Sequence, residues 1–73
     1  MTQTYRFNPG RAIVVAQAML DIDNRTLAAR LGVHEMTVCR MRAADDLKVN
    51  KLLEVANVFN MDLMELLLLG DKQ

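Results

Sequence analysis

The stretch "NRTLAARLGVHEMTVCRM", residues 24–41, holds two short helical patterns that are separated by Gly-Val-His. On both sides of this break, apolar residues recur every three or four positions, which is the spacing of one helix face. A sharp turn between helices that cross at about 90–120° needs a residue free to adopt a positive φ, and Gly32 does so without a Cβ clash. The small Ala28 allows the two helices to approach closely. The stretch therefore predicts two helices that meet at a corner; an ordinary helical hairpin without a binding role is the alternative.

The same three- and four-residue spacing continues on both sides of this stretch, so we predict an all-α fold: a compact five-helix domain. Asn8 and Asp23 are placed to cap the first two helices, whereas His34 is a poorer cap for the third. Asp62 and Glu65 have capping-box spacing before the fifth. Asn60 and Gly70 are suited to end the last two helices. The predicted helices span roughly residues 9–20, 24–31, 35–42, 47–60 and 62–69.

Length and composition limit the class of protein. The 73 residues are enough for one domain, and 52% of them are hydrophobic, which can supply a core and an exterior patch. Cys39 is the single cysteine, so no internal disulfide or zinc-finger spacing is present, and purely apolar runs such as residues 66–69 are too short to span a bilayer. We expect a reduced cytoplasmic protein without a metal or cofactor, in which residues 1–8 form a mobile arm rather than a targeting segment.

The chain resembles a known family. The segment "LAARLGVHEMTVCRM" is similar to the helix-turn-helix of lambda-repressor-like (Cro and repressor, XRE-type) DNA-binding domains, and the likeness extends from about Arg11 to Leu69. The tail "VANVFNMDLMELL" resembles the family's last two helices. The resemblance implies a helix-turn-helix at residues 24–42, with the third helix in the major groove and the second across the backbone. A second likeness is to the lysogeny activators of lambdoid phages, through "CRMR", Lys48 and "KLLEV".

Two positions depart from the family pattern. Family members commonly pair a partly buried Arg on the first helix with a Glu at the end of the third, but here these places hold Gln17 and Arg42. Because an unpaired buried charge is costly, we expect Arg42 to turn outward, towards a phosphate. The loop before the fourth helix usually lies near the DNA backbone, and Asp45 and Asp46 would repel phosphates there. We expect these two carboxylates to cap the fourth helix and point away.

Mapped onto the family motif, five residues of the third helix and its cap occupy positions that reach base edges. Glu35 can accept from a cytosine amino group, Met36 can pack on a thymine methyl, and Arg40 can pair with guanine. The competing interpretations are that Glu35 only complements the helix dipole, Met36 belongs to the core and Arg40 is a solvated surface residue. Cys39 can equally be a small filler, and Thr37 is expected to pack within the turn. The predicted base-contacting residues are His34, Glu35, Met36, Cys39 and Arg40.

The predicted contacts to the DNA backbone come from the flanks of this motif. The start of the second helix favours a phosphate through its free N–H groups, and Asn24 is a shorter substitute for the family's common Gln. Arg6 and Arg11 could extend the contact. Nine basic residues balance nine acidic ones, so binding depends on their segregation, with Glu54, Asp62, Glu65 and Asp71 away from the expected DNA face. The predicted backbone-contacting residues are Asn24, Arg25, Arg42 and Lys48.

The fifth helix, residues 62–69, contains more leucine than one small core can bury, because consecutive residues point around the helix at about 100° each. A homodimer would cover the excess and would suit an operator with two half-sites about one helical turn apart. The alternatives are a monomer with an apolar end and a higher oligomer. The predicted dimerisation residues are Leu63, Leu66, Leu67, Leu68 and Leu69.

These features together predict a single helix-turn-helix domain, residues 1–73, that binds double-stranded operator DNA as a homodimer and regulates transcription. A phage or mobile-element origin is expected, because the chain has no room for an effector domain. The alternatives are an antitoxin-like protein-interaction module, a lysogeny-type activator and an RNA binder. We expect no enzyme activity, no small-molecule ligand and no membrane contact, and a cytoplasmic, nucleoid-associated location. Lone His34 has no positioned carboxylate or nucleophile.

Overall fold

The computed structural model describes residues 7–70, in which five α-helices are the only helices or strands. The predicted all-helical class is confirmed, and the predicted bounds of the first three helices are those of the structure. The arm predicted at residues 1–8 lies mostly outside the described residues. The fourth helix begins two residues later and ends two residues earlier than predicted. The helices are α1 (Pro9–Leu20), α2 (Asn24–Leu31), α3 (Glu35–Arg42), α4 (Val49–Val58) and α5 (Leu63–Leu69).

The helix ends are held mainly by the predicted caps. Asn8 Oδ1 accepts from the Arg11 N–H at 2.9 Å, and Asp23 Oδ1 accepts from the Thr26 N–H at 2.7 Å. The Glu65 carboxylate accepts from the Asp62 N–H at 2.9 Å, as expected for a capping box. His34 precedes α3 without a side-chain capping bond. Side-chain bonds at the N-terminus therefore stabilise α1, α2 and α5, whereas α3 depends on packing.

The corner between α2 and α3 consists of three residues, 32–34. Gly32 has φ 72°, and a Cβ built on it would meet no other atom within 4 Å, so its requirement is conformational and not steric. The Val33 N–H donates to the Ala28 carbonyl at 3.0 Å, which ties the corner back to α2. The two helices pack against each other, with Leu27 and Val38 fully buried. That this pair acts as a DNA-binding helix-turn-helix stays a prediction.

One core joins all five helices. Helix α1 packs on α3 and α5, α2 packs on α3 and α4, and α4 packs on α5. The fully buried Ile13, Val55 and Leu66 come from three different helices. Burial of each such side chain stabilises the fold by on the order of 1.5–3 kcal/mol. The buried apolar set is Ala12, Ile13, Ala16, Leu27, Ala28, Val38, Met41, Leu52, Val55, Ala56, Phe59 and Leu66.

Close backbone contacts fix the start of α1. The Gly10 N–H donates to the Ala44 carbonyl at 3.2 Å, and a Cβ on Gly10 would overlap the carbonyl oxygens of Arg42 and Ala44. Only glycine permits this approach to the end of α3. The Asn8 N–H donates to the Gly70 carbonyl at 3.0 Å, which joins the start of α1 to the end of α5. The position of α3 is therefore set by α1 as well as by α2.

The predicted capping role of Asp45 and Asp46 is wrong. Helix α4 begins at Val49, its N-cap is Lys48, and no side chain caps it. The carboxylates lie too early in the chain to reach the first turn of α4. Asp45 Oδ1 instead accepts from Asn8 Nδ2 at 3.4 Å, so this carboxylate lies beside the start of α1. Within residues 7–70, no helix is both long and apolar enough to cross a membrane.

Candidate functional site

Four side chains form one exposed strip on α3. Helical residues advance by about 100° each, so Glu35, Cys39, Met36 and Arg40 fall within an arc of about 140°. All four are exposed, and Met36 is 62% exposed although it is a large apolar side chain. The interpretation of Met36 as core is therefore wrong. We call these four residues the α3 strip; His34, immediately before them, is also exposed.

The opposite side of α3 anchors this strip. Val38 is fully buried and Met41 is 5% exposed, so the helix is fixed by two side chains one turn apart. Thr37 is half-buried and lies beside them, in agreement with its expected packing within the turn. A short helix anchored in this way presents the strip from a rigid element rather than from a loop. Rigid presentation is what a site that reads molecular shape requires.

A polar network behind the strip ties α1, α2 and α3 together. Gln17, on α1, is 4% exposed and is the one buried polar residue in the described part of the chain. Its Nε2 donates to the Ile22 carbonyl at 3.1 Å and to Asn24 Oδ1 at 3.0 Å. Its Oε1 accepts from Arg42 Nη1 at the end of α3. All polar atoms of the buried amide are thus used, which removes the penalty of burying it.

The expectation that Arg42 turns outward is therefore wrong, whereas its contact with a phosphate stays a prediction. Arg42 is half-buried and donates to Gln17 across the position where the family resemblance implies an Arg–Glu pair. Compared with the pair that the resemblance implies, the cation lies on α3 and not on α1, and its acceptor is a neutral amide. A guanidinium has five N–H donors, and within the described residues one is used on Gln17. Arg42 can therefore hold α3 in place and still bind an anion.

Asn24 does not project freely towards solvent as a phosphate clamp would. Its Oδ1 accepts from Gln17, and its Nδ2 contacts Cys39 Sγ at 3.8 Å, so its side chain bridges α1 and the edge of the α3 strip. Cys39 is exposed and has this one side-chain partner within the described residues. Sequence reasoning missed the network. The signal was Gln17 itself, a polar residue one turn after the core residue Ile13.

An open groove of about 560 Å³ lies beside the network and is acidic at its rim. Its lining includes Asp21, Asp23, Asn24 and Arg42. The hydrogen bonds from Thr26 to the Asp23 side chain lower the pKa of this carboxyl below its ordinary value, with the nearby charge of Arg25 a smaller contribution. Asp23 is consequently ionised at neutral pH. We call this the acidic groove.

A second open groove, of about 300 Å³, runs between the first turns of α1 and the end of α3. It is lined by Asn8, Arg11, Val14, Arg42 and Ala43, with no carboxylate among the lining residues. Within residues 7–70 the one ion pair joins Lys51 to Glu54, so neither arginine of this groove is paired with an acid there. We call this the basic groove. Arg42 and Val14 line both grooves.

The charges of the chain are segregated along the sequence. Residues 24–42 contain four arginines and one glutamate, whereas residues 43–70 contain five acidic residues and two lysines. Arg25, Arg30 and Arg40 are exposed, as is Lys48 before α4. A chain with no net charge therefore carries an excess of positive charge on the α2–α3 segment.

The leucines of α5 divide between the core and the surface. Leu66 is fully buried within its own chain, so its predicted role in dimerisation is wrong. Leu63, Leu67 and Leu69 are half-buried against the core, and Leu68 is 64% exposed. Met64, one turn before Leu68, is 66% exposed and is not among the predicted dimerisation residues. Val49 and Leu53 form a similar exposed pair on α4.

Comparison of the chain with protein-family models, with curated proteins and with solved structures gives no match. Within residues 7–70, no three His, Cys, Asp or Glu side chains are grouped so that they could hold a metal ion. The features of the molecule that bear on function are the α3 strip, the charge distribution and the two grooves.

Proposed function

We propose that this chain is a sequence-specific double-stranded DNA-binding transcription regulator, with α2 and α3 as a lambda-repressor-like helix-turn-helix. The observation that carries the proposal is the α3 strip: two charged residues, a methionine and a cysteine exposed on one face of a helix anchored by Val38 and Met41. A major groove about 12 Å wide admits a helix of this diameter. The surplus of arginine on the α2–α3 segment supplies attraction to phosphates.

The chemistry of the strip sets the expected base preferences. Arg40 can donate two parallel hydrogen bonds to guanine O6 and N7, and Glu35 can accept from the cytosine amino group. Met36 can pack on a thymine methyl, an apolar contact that accounts for a methionine exposed to solvent on this face. His34 can donate to a base or a phosphate. Arg25 and Lys48 are exposed and would contact the backbone on either side.

We further propose that the chain acts as a homodimer through exposed apolar side chains of α4 and α5. Two pairs with helical i, i+4 spacing are exposed, Val49 with Leu53 and Met64 with Leu68. A second copy is the partner we favour, because a regulator with one reading helix gains affinity and symmetry when two half-sites are linked. The same exposed residues support a second candidate, an antitoxin-like module or a lysogeny-type activator that contacts another protein.

Selection of bound fragments from random duplex DNA tests the proposed function most directly. The native chain should enrich one motif, and Arg40→Ala should lower affinity for it by roughly 1–3 kcal/mol while relaxing the preference at one base pair. Lys48→Ala should weaken binding to all DNA sequences by a similar factor. Arg30→Ala is the matched control, since it removes the same charge from the last turn of α2, outside the strip. No enriched motif for the native chain, or unchanged specificity in Arg40→Ala, would refute the proposal.

Sedimentation of the native chain at micromolar concentration tests the dimer. The substitutions Met64→Lys and Leu68→Lys together should give a folded monomer that binds DNA weakly, because both side chains are exposed in the single chain. Leu67→Lys is a poor choice, because Leu67 packs against the core. A native monomer, with DNA affinity unaffected by the double substitution, would refute the dimer. Co-purification of a different protein on these residues would favour the antitoxin-like alternative.

A further inference from the structure

Among the predicted backbone contacts, Asn24 was expected to clamp a phosphate, but the structure offers two grooves of opposite character beside α3. The acidic groove, next to Asn24, carries Asp21 and the ionised Asp23. A phosphate there would meet two negative charges, and the Asn24 amide is already bonded to Gln17 and Cys39. Repulsion from these two carboxylates opposes the gain of an amide hydrogen bond to a phosphate at Asn24.

The basic groove has the composition that a phosphate needs. Arg11 and Arg42 supply two guanidinium groups, Asn8 supplies an amide, and Val14 and Ala43 complete the lining. Guanidinium groups bind phosphate oxygens through charge-assisted, frequently paired hydrogen bonds. Arg42 keeps N–H donors beyond the one bonded to Gln17, and Arg11 is exposed at the opposite wall.

The basic groove is also next to the strip. Arg42 follows Cys39 by three residues on α3, so its Cα lies on the neighbouring side of the helix and about 4.5 Å further along the axis. A strand whose bases face Glu35 and Cys39 therefore has its backbone on the side of Arg42. The network through Gln17 fixes this guanidinium relative to the strip, so a phosphate held by it would set the register of the reading helix.

We propose that the basic groove binds a backbone phosphate of the DNA, held between the Arg11 and Arg42 guanidinium groups, and that this contact replaces the clamp expected at Asn24. The proposal rests on the proposed DNA-binding function and specifies where the backbone is held. Asp45, tied to Asn8, lies at the edge of this groove and weakens the attraction. The affinity of the site is thus limited by a carboxylate that a single substitution can neutralise.

Arg11→Gln is the decisive variant, because Arg11 is exposed and its loss leaves the network intact. One phosphate contact contributes about 0.9 to the slope of log affinity against log salt, which corresponds to up to about eightfold in affinity between 1 M and 0.1 M salt. Arg11→Gln should lose up to this factor equally on cognate and non-cognate duplexes, with a shallower slope. Arg30→Gln, with the same change of charge on α2 but outside the basic groove, should change the slope less than Arg11→Gln does.

Asp45→Asn should have the opposite effect. Removing the negative charge while retaining the acceptor for Asn8 should tighten binding to both duplexes by about twofold at low salt, and Glu54→Gln on α4 is its charge-matched control. If the native chain binds DNA but Arg11→Gln and Asp45→Asn leave affinity and slope unchanged, the phosphate site is refuted while the proposed function stands. If the native chain binds no DNA, titration with inorganic phosphate decides whether the groove holds an anion. Changes in the NMR chemical shifts of Arg11, Arg42 and Ala43 in a chain that binds no DNA would overturn the DNA-phosphate assignment.

Discussion

The side chains of Gln17 and Arg42 should be energetically coupled through their hydrogen bond, and a double-mutant cycle measures this coupling. Gln17→Leu keeps the side-chain size but leaves the Ile22 carbonyl, Asn24 and Arg42 without their buried partner. A neutral hydrogen bond contributes about 0.5–1.5 kcal/mol and one with a charged donor about 1.5–3 kcal/mol. Since the apolar replacement recovers some burial energy, the single change should cost about 2 kcal/mol.

Arg42→Met keeps the aliphatic stem and removes the guanidinium, so it should cost about 1.5 kcal/mol, the lower end for a charged bond because Arg42 is half-buried. In the double variant the shared bond is lost once and not twice. The free energy of unfolding should then fall by about 1.5 kcal/mol less than the sum of the two single changes.

Urea unfolding followed by circular dichroism provides all four free energies. For a domain of this size, about 2 kcal/mol also corresponds to a loss of roughly 8–16 °C in Tm. Ala18→Leu is the control, since Ala18 is the exposed neighbour of Gln17 on the same helix and should change stability little. Additive losses, within about 0.3 kcal/mol, would show that the two side chains act independently and would refute the network as a link between α1 and α3.

Three further predictions concern the core, the N-cap of α2 and the glycines. Leu66→Ala should lower the free energy of unfolding by about 2–5 kcal/mol, whereas Leu68→Ala should change that of the monomer by less than about 0.5 kcal/mol, as measured by urea titration. Because the pKa of Asp23 is lowered in the folded chain, its stabilisation is present above its unfolded pKa and is lost as the pH falls through the folded value. The advantage of native over Asp23→Asn at about pH 6 should therefore decrease as the pH falls through the acidic range, and a constant difference would contradict the cap. Gly32→Ala should cost about 1–2 kcal/mol of conformational strain, and Gly10→Ala, which forces α1 away from the Arg42 and Ala44 carbonyls, should cost more; equal thermal shifts would contradict this order.

The elements that were predictable from sequence are those determined by neighbours in the chain. Helix periodicity and the caps Asn8 and Asp23 are local, and the bounds of α1, α2 and α3 follow from them. The start of α4 was not predictable, because Asp45 and Asp46 are equally good caps on sequence grounds and Asp45 bonds to Asn8, 37 residues away. Local preference was overridden there by a tertiary contact.

The direction of a side chain that suits two different environments could also not be predicted from the sequence. Arg42 is compatible with a solvated phosphate contact or with a buried acceptor, and the choice depends on Gln17, 25 residues earlier. Similarly, a run of four leucines cannot reveal which one enters the core, because that depends on how α5 is rotated against α1. The exposed strip of α3 was predictable because Val38 and Met41 define its buried side.

The hydrogen bond from the Asn8 N–H to the Gly70 carbonyl has a consequence for folding kinetics. It joins the first and last helices of the chain, so the contact of α1 with α5 closes the longest loop in the described structure. The entropic cost of closing that loop must be overcome before the core is complete. Formation of the α1–α5 contact should therefore be slow relative to formation of the local corner between α2 and α3. A circular permutant that links residue 70 to residue 8 and opens the loop of residues 43–48 would make the contact local, and it should fold faster than the native order of helices.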